Sequence, residues 1–111
     1  MRQRVAETVN KYNASRISVD GIWFDSKAEA REYNRLKQLE EEGKIADLIL
    51  QPVFECVVNG KKICAYRADF SYQKGKKRIV ADVKGRSTAE FKLKKKLVEA
   101  LYGFEIALIP A

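Results

Sequence analysis

The strongest constraint on the fold of this chain is a pair of segments, one on either side of Gly75-Lys76, in which apolar residues occupy every second position. If these two residues form the loop of a β-hairpin, counting outward along both strands places Asp69 opposite Asp82. One face of the hairpin then carries only apolar and aromatic side chains: Ala68, Phe70, Tyr72, Ile79, Ala81 and Val83. A shift of one residue would turn this face towards solvent, so burial and the turn together predict one register.

Helix caps and turn residues divide the rest of the chain into elements. Ser26 and Glu29 form a Ser-x-x-Glu capping box, which starts a first helix that Gly43 ends. Pro52 indicates an edge strand or a bulge where it occurs. The other elements predicted from such signals are a small hairpin over 17–24, strands over 48–58, 63–72, 78–84 and 104–109, and a second helix from the capping box at Ser87 to Tyr102.

The predicted order of elements is helix, three strands, helix, strand, which indicates an α/β fold. Tight turns join the three strands, so we expect an antiparallel meander. The last strand follows a crossover helix and can pair in parallel, which makes the sheet mixed. A chain of 111 residues forms one domain, which we assign to residues 17–111. Residues 1–16 are compatible with a short helix, a disordered N-terminal arm or an arm exchanged in a dimer.

The composition excludes several classes of function. The chain has no histidine, which rules out histidine general bases and His-ligated zinc and leaves carboxylates, lysines and metal-bound water for acid–base chemistry. No apolar run approaches the ~18 residues that span a membrane, and no secretory signal is visible at the N-terminus. We expect neither a membrane partner nor a nucleotide cofactor.

The two cysteines, Cys56 and Cys64, are too few for a structural zinc site. A two-residue loop at Asn59-Gly60 places Cys56 opposite Ile63, and a four-residue loop places it opposite Ala65. In either case Cys64 points to the other face of the hairpin, which argues against a disulfide. Reduced, buried thiols favour a cytoplasmic protein.

The positive charge is concentrated in one segment. The whole chain has 22 basic and 15 acidic residues, a net charge of +7. Residues 74–96 hold ten of the basic residues and two of the acidic ones, so this segment carries +8 and the rest of the chain −1. Such a concentration is typical of proteins that bind a polyanion, although a solvated helix face beside a lysine-rich turn would give the same composition.

The predicted register forces two carboxylates together, because directly opposed side chains have Cβ atoms ~4.5–5.5 Å apart. At ~5 Å, the Asp69 and Asp82 carboxylates would repel by roughly 3 kcal/mol at an effective dielectric near ~20. A divalent cation with hard oxygen ligands would turn this repulsion into a binding site. Lys84, on the same strand face as Asp82, could orient a water or stabilise phosphate charge. The alternative is a surface Asp82–Lys84 pair with a solvated Asp69.

A third carboxylate is available at the start of the first helix. Glu29 lies in its first turn, at the edge of the apolar stripe, and Glu32 is the nearest substitute. The capping box by itself accounts for a glutamate at position 29. A capping role and a role as a third carboxylate of the site therefore both stay open.

Together these residues resemble the motifs of the PD-(D/E)XK nuclease superfamily. The motif positions are Glu29 in the first helix, Asp69 in a strand, and Asp82 with Lys84 in the next strand. Similarity is greatest to phage junction-resolving endonucleases and small phage nuclease-like proteins, through three stretches and the lysines of the following helix: Ser26-Lys27-Ala28-Glu29, Tyr66-Arg67-Ala68-Asp69-Phe70 and Asp82-Val83-Lys84-Gly85. The resemblance covers about residues 17–109 and implies a restriction-endonuclease-like core.

The resemblance also implies roles for single residues. Asp69 and Asp82 would bind Mg²⁺ or Mn²⁺ together with the backbone carbonyl of Val83. Glu29 would contribute directly or through water, and Lys84 would position the attacking water. Asp82 stands where the most similar relatives often have glutamate, which leaves the number of metal ions open.

The resemblance and the charge together predict a metal-dependent, structure-selective DNA endonuclease, phage-encoded and acting in the host-cell cytoplasm on Holliday junctions or other branched DNA. Phosphate contacts are expected from basic residues of the charged segment: Lys74, Lys76, Lys77, Arg86, Lys92, Lys95 and Lys96. No Arg/Asn/Gln cluster suited to base readout is visible, which favours recognition of shape. The alternatives are a non-catalytic basic DNA- or RNA-binding module and a nuclease subunit that is inactive alone.

A homodimer is the economical solution for an enzyme that cuts two strands placed symmetrically about a branch point. Candidate dimer surfaces are the first helix, the 17–24 hairpin with its large apolar Trp23, and the N-terminal arm. Trp23 could instead cap the core of a single chain.

Overall fold

The computed structural model describes residues 5–9 and 15–111, with side chains from Arg16 onwards. The elements within this part of the chain are β1 (Val5–Val9), β2 (Ser15–Val19), β3 (Ile22–Phe24), α1 (Lys27–Glu41), β4 (Ala46–Leu50), β5 (Val53–Val58), β6 (Lys61–Arg67), β7 (Phe70–Lys74), β8 (Lys77–Lys84), α2 (Ala89–Tyr102) and β9 (Ile106–Pro110). β1 pairs with β2, so the short helix considered for residues 1–16 does not include these five residues. The rest of the predicted arm, residues 1–4 and 10–14, lies outside the described residues.

A four-stranded mixed sheet is the centre of the fold, with the strand order β4-β7-β8-β9. β7 and β8 are antiparallel, with Phe70 opposite Ala81, as the turn at Gly75-Lys76 predicts. β9 returns through α2 and pairs with β8 in parallel. The α/β class and the mixed sheet are therefore confirmed.

The strands predicted over 48–58 and 63–72 are each broken in the structure. β4 and β7 join the central sheet, whereas β5 and β6 form a separate two-stranded ribbon. The two breaks face each other, because the Gln51 N–H donates to the Asp69 carbonyl and the Ala68 N–H donates to the Pro52 carbonyl, both at 3.0 Å. The predicted antiparallel meander is therefore present in β4, β7 and β8, but its first two strands do not stay in the sheet along their whole length, since β5 and β6 leave it at a shared bend.

The sequence cause of this bend lies in two adjacent residues. Gln51 has φ +53°, in the left-handed region that side chains other than glycine seldom adopt. Pro52 has no N–H with which to continue the ladder. The expectation of an edge or bulge at Pro52 points to the right place, since β4 is an edge strand of the sheet, but it does not foresee that the partner strand breaks as well.

Two hydrophobic clusters lie on opposite faces of the central sheet. On one face, the apolar stripe of α1 and the β2–β3 hairpin pack against Phe70, Tyr72 and Val83. On the other face, α2 and the ribbon pack against Val80. Ala68, predicted on the same face as Phe70, belongs instead to the second cluster because the bend separates the two residues.

Both helices begin and end close to the predicted residues. The Ser26 hydroxyl accepts the Glu29 N–H at 3.1 Å and caps α1. The cap of α2 is Thr88 rather than the predicted Ser87, with a 3.1 Å bond from the Phe91 N–H. Gly103 follows α2 with φ +75°, the conformation that glycine tolerates without strain. No helix in the described part of the chain is long and apolar enough to cross a membrane.

The two cysteines lie directly opposite each other, contrary to the predicted register. Val58 faces Lys61 as expected, but a register shift follows, so Cys56 pairs with Cys64 instead of Ile63. A β-bulge inserts one extra residue into one strand and thereby moves every later pair by one. Both thiols are free, and burial raises the pKa of Cys56.

Candidate functional site

The bend presents Asp69 to the neighbouring strand β8. The Asp69 N–H donates to the Ala81 carbonyl at 3.2 Å, and its carboxylate accepts the Val83 N–H at 2.8 Å. The carboxyl group also lies within hydrogen-bonding reach of Asp82, which is only 2% exposed. The two aspartates are thus neighbours at the end of the β7–β8 ladder, with Asp69 in the bend just before β7 and Asp82 in β8 next to Ala81.

The electrostatics of the pair follow from its burial. Removal from water, followed by the contact with Asp82, raises the pKa of Asp69 to about 8 from 3.8. The Val83 N–H acts in the opposite direction, because it stabilises the ionised carboxylate. Without a cation, the pair therefore holds a proton at neutral pH, since two adjacent buried carboxylates resist being ionised together.

Tyr66 is a third member of the site, to which the sequence analysis assigned no role. Its hydroxyl donates a hydrogen bond to the Asp82 carboxylate. Burial and this bond raise the pKa of Tyr66 far above the ordinary value, so the phenol keeps its proton and stays a donor. The only sequence signal is its place three residues before Asp69, and that spacing indicates proximity only once the bend is known.

Lys84 lies on the face of β8 that carries Asp82, as predicted. Its ammonium group is 3.8 Å from the Asp82 carboxylate and 4.5 Å from the centre of the Phe91 ring. At 3.8 Å the pair is an ion pair without a direct hydrogen bond, so the ammonium can bind another anion. Phe91, in the first turn of α2, also places that helix beside the site.

Glu29 approaches the pair from α1. It lines the same cleft as Asp69, and its pKa is raised by burial first, then by Asp25 and, more weakly, by Asp82. The Ser26 hydroxyl lies 3.5 Å from its carboxylate. Glu29 thus has both a capping contact and a place at the site. Glu32, the predicted substitute, is bound at 2.6 Å to Arg35 and is engaged elsewhere.

Comparison with known proteins places this chain in a family. A family model described as "Protein of unknown function (DUF1064)" matches residues 9–108. The chain belongs to the DUF1064 family. No curated protein and no solved structure matches it. The region that defines DUF1064 membership contains all the acidic and basic side chains described above.

The oxygen atoms of this DUF1064 site fit a divalent cation in part. Asp69 and Asp82 offer adjacent hard ligands, and Lys84 lies 3.8 Å from the Asp82 carboxylate. Among the residues whose side chains the structure describes, however, no group of three His, Cys, Asp or Glu side chains converges as a metal cluster. Mg²⁺ commonly binds one or two carboxylates and completes its coordination with water and substrate phosphate, so two aspartates are sufficient protein ligands.

The fold divides the predicted DNA-binding residues of the DUF1064 chain into two groups. One group lies at the β7–β8 turn, about 17 Å along β8 from Asp82; it comprises Lys74, Lys76 and Lys77. The other group follows the site directly in Arg86 and α2. There Lys92 and Lys96 are exposed and form no ion pair with any described residue, whereas Lys95 pairs with Glu99 at 2.9 Å.

Proposed function

We propose that this DUF1064 chain is a metal-dependent DNA endonuclease of the PD-(D/E)XK type that prefers Holliday junctions or other branched DNA. The supporting observation is the contact between two largely buried carboxylates, Asp69 and Asp82, on a chain of net charge +7. Such a pair costs stability unless a proton or a cation neutralises it, which is typical of a functional site. The mixed sheet with a helix on each face is compatible with a restriction-endonuclease-like core.

Each residue of the site has a role in this proposal. Asp69, Asp82 and the Val83 carbonyl would hold Mg²⁺ or Mn²⁺, with Glu29 close enough to bind directly or through water. The cation supplies Lewis acidity for phosphodiester hydrolysis. Tyr66 fixes one oxygen of Asp82, and Lys84 supplies positive charge beside the scissile phosphate.

The DNA backbone would lie across the first turns of α2. Lys92 and Lys96 are one helical turn apart and have no competing carboxylate, so they can neutralise successive phosphates. Lys95 would first have to break its ion pair with Glu99 before it could bind a phosphate. A duplex that also reached the β7–β8 turn would extend about five base pairs beyond the site, because each base pair rises ~3.4 Å.

Cleavage of defined substrates tests this proposal. Four-way junction, flap, duplex and single-stranded DNA are incubated with Mg²⁺, Mn²⁺ or EDTA. We expect metal-dependent cleavage, strongest on the junction, that Asp69→Asn abolishes and Lys84→Met lowers by roughly 10²–10³-fold, the usual effect of removing one group that stabilises transition-state charge. Glu105→Gln, an exposed acid outside the site, is the matched control. Cleavage that persists in EDTA or in Asp69→Asn contradicts the proposal.

A non-catalytic DNA- or RNA-binding module is the second candidate function. It is favoured by the lack of a complete three-residue metal cluster among the described side chains, together with the two unpaired lysines of α2. In that case Lys92→Ala and Lys96→Ala weaken binding, and no metal produces cleavage of any substrate.

A homodimer is part of the proposal, since a junction offers two equivalent strands. Trp23 is 44% exposed, which leaves part of its ring available for a contact between copies. The ribbon offers another apolar surface, with Val53 60% and Ile63 55% exposed. Sedimentation at micromolar concentration should give twice the 12.7 kDa of one chain; a monomer both free and on a junction excludes the dimer.

A further inference from the structure

An open cleft of about 120 Å³ borders the candidate site. Its apolar walls include Trp23, Phe24, Leu50 and Phe70, and the carboxylates of Glu29 and Asp69 form a polar side. The volume equals that of about four water molecules at ~30 Å³ each and is well below the ~300 Å³ of the smallest typical drug pockets. A cleft of this size and lining suits one flat ring system rather than a peptide or a base pair.

Two side chains that line the cleft, Trp23 and Gln51, are exposed to solvent. Trp23 is 44% exposed, although Phe24 beside it is buried, and the Arg16 guanidinium lies 5.2 Å from the Trp23 ring. Gln51 is exposed with φ +53°, and its side-chain amide has no hydrogen-bond partner among the described residues. Strained backbone of this kind is concentrated at functional sites.

An exposed indole and an unpartnered amide are the groups that proteins use for unpaired bases. Aromatic rings stack on the faces of such bases, and side-chain amides bond their edges. The Arg16 guanidinium beside the indole is ion-paired with Asp25 at 3.8 Å and would exchange this partner for the attached phosphate. The cleft shares Asp69 with the proposed cation site, so a ligand in the cleft would be adjacent to the reacting phosphate.

We infer that the cleft receives one unpaired nucleobase of the DNA strand whose phosphate reaches Asp69 and Asp82. Trp23 stacks on the base, and Gln51 bonds its edge. The inference rests on the proposed nuclease function and specifies its substrate as DNA with an unpaired nucleotide next to the cleaved bond. A base inside a duplex would first have to leave its stack, which costs free energy that a branch point or single strand has already lost.

Tryptophan fluorescence tests this directly, because Trp23 is the only tryptophan of the chain. In EDTA, where no cleavage occurs, oligothymidylate should quench the Trp23 emission, whereas a hairpin of equal charge, fully paired and closed by a linker without bases, should not. Trp23→Leu should weaken binding of oligothymidylate roughly 5- to 150-fold, the range for base–aromatic stacking, and binding of the hairpin much less. Trp23→Phe should retain most of the affinity, and Leu101→Ala, an exposed apolar control at the end of α2, should change neither affinity.

Gln51→Gly is a second, independent variant. Glycine adopts the left-handed conformation without strain, so this change removes the amide and keeps the bend. We expect normal thermal unfolding and weaker but measurable binding of oligothymidylate. The affinity for an oligonucleotide of abasic sites should not change, so the difference between the two affinities should become smaller.

The outcomes separate this inference from the proposed function. One outcome is metal-dependent cleavage without fluorescence quenching, while Trp23→Leu binds single strand and hairpin as tightly as the wild type does. This result overturns the base cleft and leaves the proposed nuclease function intact. Quenching by oligothymidylate without cleavage of any substrate overturns the nuclease and supports the base cleft. A Trp23→Leu chain that changes from dimer to monomer in sedimentation, with no change in DNA affinity, overturns the inference and assigns Trp23 to a contact between copies.

Discussion

The aspartate pair makes the stability of the free protein depend on pH in an unusual direction. Burial and contact with Asp82 raise the pKa of Asp69 from 3.8 to about 8. Its proton is therefore held more tightly in the folded chain than in the unfolded one. The stability that this proton supplies is fully present below about pH 4 and is lost as the pH rises through 8. An aspartate whose pKa is lowered on folding has the opposite effect on the pH dependence of stability.

The magnitude follows from the same shift. Each pKa unit corresponds to ~1.4 kcal/mol, so a shift of this size gives at most roughly 6 kcal/mol. Partial solvent access to Asp69 and proton sharing with Asp82 reduce this, and we expect the free energy of unfolding to fall by about 2–3 kcal/mol between pH 5 and pH 8.5. Asp69→Asn mimics the neutral carboxyl, so it should match the wild type below about pH 4 and gain about 2–3 kcal/mol relative to it between pH 5 and pH 8.5.

Urea unfolding in EDTA, followed by Trp23 fluorescence, measures these free energies. Glu105→Gln, which changes an exposed acid, should keep the wild-type pH dependence. Addition of MgCl₂ at pH 8.5 should stabilise the wild type, by about 2.7 kcal/mol at a concentration a hundred times the dissociation constant, and should leave Asp69→Asn unchanged. Parallel pH curves for the wild type and Asp69→Asn would refute the claim that the two carboxylates share a buried site.

Three further predictions concern charge, hydrogen bonding and backbone. Lys92→Ala combined with Lys96→Ala should lower the slope of log affinity for DNA against log salt by about 0.9 per lost phosphate contact, whereas Lys76→Ala should matter only on longer duplexes. Tyr66→Phe should lower the free energy of unfolding by about 1–3 kcal/mol in urea, because the buried Asp82 loses a donor. Gly103→Ala should cost about 1 kcal/mol or more in the same assay, since φ is +75° at that position.

The parts of the fold that the sequence predicted are those determined by local patterns. The β7–β8 hairpin needed only the alternation of apolar residues and a turn at Gly75, and its register placed Asp69 beside Asp82. The helix limits needed only caps and glycines. The strands over 48–58 and 63–72 were each predicted as one continuous strand, and each is two strands in the structure. Hydrophobic runs of this length do not show where a pair of strands separates from its sheet.

The remaining differences have a common physical cause. A bulge inserts one residue without changing composition, so the pairing of Cys56 with Cys64 could not be counted outward from the turn. The position of Tyr66 against Asp82 likewise depends on a bend between two sheets. Pro52 was a visible signal for that bend, but the left-handed conformation of Gln51 was not, because glutamine has no preference for it.

The Asp69–Val83 hydrogen bond links residues only fourteen positions apart, within and next to a single hairpin. Glu29 lies forty positions before Asp69 and reaches the site only when α1 has docked. Hairpins form in about 1–10 μs, whereas contacts between distant parts of a chain close more slowly. We therefore expect a short segment to assemble the carboxylate pair while the rest of the chain is still open. The mutual repulsion of the pair would then oppose the early steps of folding, and a proton or cation captured at that stage would speed the formation of the sheet.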